Sequence, residues 1–203
     1  QKYYDEGIDE LVFINNTGSL YNTKLDLDLI KQIRKNKAIP ITGGGGIKNL
    51  KDACDLIEAG CDKVIINSLI HTNINEVEKI ISTLGSSSVI GAIQYDKKDN
   101  KYISLYEMAR ETTNLDLNQT ILKYKNLGIG ELLVTDVNRD GCYTGLNEEI
   151  LDILAENKYN FPLLVSGGMV NPSQLDKFKN LASGLVLSSA LHYNKLNVKD
   201  FLN

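Results

Sequence analysis

The chain has 203 residues, of which 42% are hydrophobic and 24% charged, with a net charge of −4 and three cysteines. That is enough chain to bury a real core, while the acidic balance gives no reason to expect nucleic acid or an anionic membrane as partner. No apolar run approaches the roughly 20 residues needed to span a bilayer, and Cys54, Cys61 and Cys142 lack metal-ligand spacing, so a reducing cytoplasm and no metal are expected.

The chain opens Gln1-Lys2-Tyr3-Tyr4, without Met or signal features, inside an expected helix. Residues 11–15 (L-V-F-I-N) are a short apolar run ending in polar residues, the pattern of a buried parallel strand. Leu25 to Arg34 carries apolar residues at helical spacing, and 39–42 form a strand running into four glycines. Leu50 to Ala59 reads as a helix stopped by Gly60, 63–67 as a strand, Asn75 to Leu84 as a helix and 88–94 as a strand. Asp96 to Asn100 (D-K-K-D-N) is a turn between two polar extended pieces, a small hairpin on a long loop. Helix 117–127, strand 131–135, helix 148–156, strand 162–166, helix 172–180, strand 184–188 and a terminal helix complete the chain.

Seven strands alternating with helices imply a parallel sheet covered by helices. An open doubly wound sheet would satisfy that count, but the chain also repeats itself. P-I-T-G-G-G-G-I (Pro40 to Ile47) returns as P-L-L-V-S-G-G (Pro162 to Gly168), with Pro40 to Pro162 and Gly46 to Gly168 both 122 apart. Ser68 to Ser189, His71 to His192 and Glu10 to Glu131 are each 121 apart. A duplicated unit of about 120 residues closes naturally into an eight-stranded (β/α)8 barrel of two half-barrels, a single domain over residues 1–203. Strand 88–94 shifted back by 121 falls before Gln1, so the first strand and its loop are expected upstream.

Chemistry in such barrels lies at the C-terminal strand ends. Two Gly-rich turns, each partnered by Asn67-Ser68 or Ser188-Ser189 at a neighbouring strand end, imply two phosphate sites across one mouth. The plain alternative is that the glycines only allow tight turns. His71 and His192, in equivalent positions, read as symmetric packing or capping residues, and Cys142 has no base near it in sequence.

Together Y-Y-D-E-G-I-D-E-L-V-F, G-G-G-I, D-K-V-I-I-N-S, G-E-L-L-V-T-D-V-N-R-D-G, S-G-G and L-S-S-A-L-H resemble the cyclase barrel subunit of imidazole glycerol phosphate synthase over essentially the whole chain. Asn67-Ser68 favours the cyclase over the sister isomerase of histidine biosynthesis, which usually has Gly-Thr there. The resemblance implies a phosphorylated small-molecule substrate with two phosphates, a heterodimer with a glutaminase subunit that delivers ammonia, and neither metal nor organic cofactor. It assigns Gly46, Asn67 and Ser68 to one phosphate and Gly141, Gly168, Ser188 and Ser189 to the other. Asp140 matches an active-site carboxylate. Glu10, Lys63 and Glu131 match an ammonia gate on the barrel floor, with Asp62 near the partner contact; a salt-bridge cap on the barrel bottom is the alternative.

The departures are specific. Gln94 stands where family cyclases carry a catalytic Asp, and Asn15 and Asn138 stand where Asp is usual. An amide cannot take a proton as a carboxylate does, so the expected reacting group is Asp140, Gln94 and Asn15, with weak or absent cyclisation. Gln94 also resembles a divergent branch that supplies ammonia for amidation of surface sugars. The sister isomerase and a non-catalytic barrel that activates a glutaminase are the other readings.

Overall fold

A computed structural model describes residues 1–21, 23–156 and 162–202. Seven parallel strands carry the fold: β1 (Leu11–Ile14), β2 (Ile41–Gly44), β3 (Lys63–Ile66), β4 (Val89–Lys98), β7 (Glu131–Asp136), β8 (Leu163–Ser166) and β9 (Gly184–Val186), hydrogen-bonded in that order. Runs such as V-I-I and L-L-V form central strands because both faces are covered, one by helices and one by the barrel interior. The helices are α1 (Lys2–Glu6), α2 (Gly18–Tyr21), α3 (Leu27–Asn36), α4 (Leu50–Ala59), α5 (Ser68–Thr72), α6 (Ile74–Leu84), α7 (Leu117–Asn126), α8 (Leu151–Glu156), α9 (Leu175–Phe178) and α10 (Ser189–His192). Their ends follow from local chemistry. Asn49 accepts from Asp52 N to start α4, Gly60 at φ 117 ends it, and Asp116 with Gln119 forms a capping box on α7.

The register sorts the sheet residues into two layers. Ile65, Ile90 and Leu133 stand side by side with Ala92, Leu164 and Val186 and fill the barrel interior, while a larger cluster around Ile30, Ile41, Val64, Val77, Ile121 and Tyr124 packs sheet against helices. β1 and β9 are the two ends of the ladder and do not pair with each other among the described residues. Side chains of α1 bridge that side: Tyr3 Oη meets His192 Nδ1 at 2.8 Å, Lys2 Nζ donates to Asn194 Oδ1 at 2.5 Å, and Glu6 Oε2 accepts from Val198 N at 3.2 Å.

Several elements differ from the sequence expectation. The hairpin is larger, since β4 runs on to Lys98 and two antiparallel strands follow, β5 (Lys101–Tyr106) and β6 (Glu111–Asp116). Asp99 and Asn100 take φ of 48° and 60°, the left-handed pair that a two-residue hairpin turn requires. Gly43 and Gly44 belong to β2 rather than to the turn. A Cβ on Gly44 would stand 2.0 Å from Ile65 Cγ2, so glycine here lets β3 come close, and only Gly45 and Gly46 turn the chain. The helices expected at 148–156 and 172–180 each begin as a 3₁₀ turn, the second one at Pro172, and are correspondingly short. The expected terminal helix is split into α10 and a 3₁₀ turn at Val198–Phe201, and β9 ends at Val186, not 188.

Candidate active site

One cavity of about 1900 Å³ runs from the C-terminal strand ends, where its lining includes Gly46, Asn67, Ser68, Gln94, Asp140 and Ser188, into the gap between β1 and β9, where Ile33, Phe178 and Leu202 line it. The register puts Gln94, Thr135 and Ser166 on one inward-facing level, and Asn67 Nδ2 donates to Gln94 Oε1 at 3.3 Å. The Gln94 side chain thus meets Asn67 through its oxygen, and Gln94 lines the cavity. Asn67 Oδ1 is itself buried without a partner. On the other side of Ser68, its hydroxyl accepts from Glu107 N at 3.1 Å, so the β5–β6 tip lies over this strand end.

The loop carrying R-D-G is built on Asp136. This buried carboxylate accepts from Asn138 N at 3.0 Å and from Asn147 Nδ2 at 2.7 Å, with Arg139 Nε at 3.6 Å, while its carbonyl receives Asp140 N at 3.0 Å. Asn138 Nδ2 in turn donates to Asp96 Oδ1, tying β4 to this loop. With its backbone fixed this way, the exposed Asp140 lines both the main cavity and an adjoining cleft that holds Gly141, Ser188 and Ser189. Gly168 lines neither; its carbonyl accepts from Gly145 N at 2.8 Å, and a Cβ there would meet Gly145 O at 2.6 Å. Its φ of +91° and that packing account for the glycine.

Asn15 also borders the cavity, but its side chain organises its own loop. Oδ1 takes Thr17 N and Thr17 Oγ1, each at 3.1 Å, and Nδ2 gives to Thr23 O and Oγ1. His71 is a packing residue, stacked on Tyr106 at 5.1 Å between ring centroids and bonded to Tyr124 Oη at 3.0 Å. Burial, with Lys123 nearby, pushes its imidazole down to about 4.

At the opposite end the three charged residues at the strand starts come together. Lys63 Nζ lies 2.6 Å from Glu131 Oε2 and 3.6 Å from Glu10 Oε2, and the buried Thr42 hydroxyl donates to Glu10 Oε1 at 2.6 Å. Burial works against the Lys63 charge, but the Glu131 hydrogen bond and the charges of Glu131 and Glu10 outweigh it and hold the ammonium above the ordinary lysine range. Thr42 was not singled out by sequence reasoning; its only signal is its place two residues before Gly44 on the inward face. Glu10 and Glu131 line the same cavity as the mouth residues, with Ala92, Leu133, Leu164 and Val186 between the two ends. Asp62 is held within the chain, accepting from the Arg34 guanidinium and from Ile41 N at 2.7 Å.

Comparison with known proteins places the chain further. Residues 1–197 match the histidine biosynthesis protein family. The chain is 34% identical over 200 residues to an imidazole glycerol phosphate synthase subunit HisF from Exiguobacterium sp., an alignment covering 98% of this chain and 78% of that protein. A protein of the same name from Prochlorococcus marinus subsp. pastoris is 36% identical over 205 residues, covering 98% and 80%. One from Thermococcus onnurineus is 31% identical over 202 residues, covering 98% and 79%.

Proposed function

The chain belongs to the histidine biosynthesis protein family, and from that premise we propose that it is the HisF-type cyclase subunit of imidazole glycerol phosphate synthase, an enzyme that uses ammonia from a glutaminase partner. The observation that supports this reading is the Glu10–Lys63–Glu131 cluster at the strand starts, at the opposite end of the barrel from Gln94 and Asp140. Here the glutaminase docks against the floor with Asp62 at the contact, ammonia passes the Lys63 cluster, and it meets a substrate held by its two phosphates. One phosphate takes Gly46, Asn67 and Ser68; the other takes Gly141, Ser188 and Ser189, with Gly168 shaping the turn behind them.

At the mouth Asp140 is the residue that can exchange a proton with the substrate. Gln94 orients a neutral or carbonyl-bearing intermediate through its amide N–H, because its oxygen is engaged by Asn67. Asn15 supports the loop beside them and moves no proton.

The test compares ammonia-driven with glutamine-driven turnover in the assembled complex. Lys63→Ala keeps the ammonia-driven rate but uncouples glutamine hydrolysis from product formation, and because it leaves the buried Glu131 without its partner it costs about 3 kcal/mol of stability. Coupling equal to that of the parent would remove the gate from this reading.

A further inference from the structure

The cleft beside the main cavity measures about 630 Å³ and brings three residues outside the R-D-G and L-S-S-A motifs, Tyr143, Tyr193 and Lys195, against Gly141, Ser188 and Ser189, with Asp140 also in the lining. Lys195 has no carboxylate partner among the described residues. The Tyr143 hydroxyl is buried with no hydrogen-bond partner, and its backbone sits at φ 55, a left-handed conformation that a tyrosine adopts only at a cost. A lysine without a carboxylate partner, a tyrosine whose buried hydroxyl is unpaired and two serines thus line one cleft.

We propose that Lys195 and Tyr143 clamp the second phosphate ester of the substrate, completing the site that Gly141, Ser188 and Ser189 begin. The inference rests on the two-phosphate reading above and goes beyond it by assigning the cation. Charge decides the point. With Asp140 in the lining, a phosphate dianion held by hydroxyls and amides alone would face a like charge in the same cleft. Lys195 is the cationic side chain of this lining and offsets that repulsion, while a phosphate has enough terminal oxygens to accept from the ammonium, the phenol and a serine at once.

The experiment is a calorimetric titration of the full chain with inorganic phosphate, using Lys195→Gln, Lys195→Arg, Tyr143→Phe and Ser189→Ala. Lys195→Gln weakens one class of phosphate sites by about tenfold, Lys195→Arg retains most of the affinity, and Tyr143→Phe weakens the same class by about threefold. Circular dichroism checks that each variant is folded. If Ser189→Ala weakens phosphate while Lys195→Gln and Tyr143→Phe titrate like the parent, the clamp is overturned and the two-phosphate reading stands. If the parent shows no saturable phosphate binding, both fall.

Discussion

The two halves of the barrel make the same contacts and protect them differently. In one, His71 of α5 bonds Tyr124 of α7; in the other, His192 of α10 bonds Tyr3 of α1, and both members of the second pair lie 121 residues from those of the first. Asn15 and Asp136, also 121 apart, each accept from the backbone N–H two residues on and each stand behind a pair of left-handed glycines. Yet Tyr124 is fully buried and Asp136 is 4% exposed, whereas His192 is exposed and Asn15 half-buried. The difference follows from the sheet. Tyr124 covers β4, which has hydrogen-bonded neighbours on both sides, while Tyr3 covers the side where β1 and β9 do not meet. A duplicated sequence repeats its bonds, and burial by neighbouring strands then sets what each bond contributes.

The largest effect is expected at β4. Gln94→Asp restores a carboxylate opposite Asp140 and raises ammonia-driven cyclisation by about 10²-fold or more, the ordinary contribution of a general acid–base group. Steady-state rates of parent and variant check it; a parent already at ordinary enzyme rates and unimproved by the change would mean that Gln94 suffices. Next come the two glutamates of the floor. Glu131→Gln breaks the 2.6 Å bond to Lys63 and loses most of the glutamine coupling, while Glu10→Gln, at 3.6 Å and still within reach of Thr42, loses about half or less. Equal losses would erase the asymmetry between the halves.

Stability separates the two His–Tyr pairs. Tyr124→Phe leaves the buried His71 nitrogen and the Ala92 carbonyl without that hydroxyl and costs about 1–3 kcal/mol. Tyr3→Phe, where water replaces the hydroxyl, costs under about 0.5 kcal/mol; urea denaturation resolves the two. The smallest effect is in pH dependence. The folded state keeps His71 neutral down to about 4, while the unfolded chain takes up a proton near 6.5. The unfolded state therefore binds more protons between those values, and stability present above 6.5 is lost as pH falls toward 4. Between pH 7 and 5 the parent loses roughly 1 kcal/mol more than His71→Gln, a figure reduced for the partial exposure of the ring. Parallel denaturation slopes for the two would contradict the buried neutral imidazole.

Much of this was legible in the chain. Short apolar runs gave the seven parallel strands to within a residue or two at most ends, since strands buried on both faces leave a continuous signal. Glu10, Lys63 and Glu131 could be grouped because each opens a strand. Register between strands is not written locally, so the inward placement of Thr42, and of Thr135 beside Gln94 and Ser166, came only with the pairing. Gly43 and Gly44 looked like turn residues because a glycine kept for close strand approach and one kept for positive φ read alike. Tyr143 and Lys195 lie in loops past the strand ends, where no periodicity marks which side chains converge.

The His–Tyr bond also differs between the halves in how much chain it encloses. Closing His71 on Tyr124 ties a loop of 53 residues, and closing His192 on Tyr3 ties one of 189. Loop-closure entropy grows with the logarithm of length, so the second closure costs about 1 kcal/mol more. It also returns less, because its pair remains wet. The belt formed by Tyr3, His192, Lys2 and Asn194 therefore forms later in folding and opens more readily than the His71–Tyr124 contact. Two bonds identical in chemistry thus differ in lifetime through the length of chain each closes and the water that reaches it.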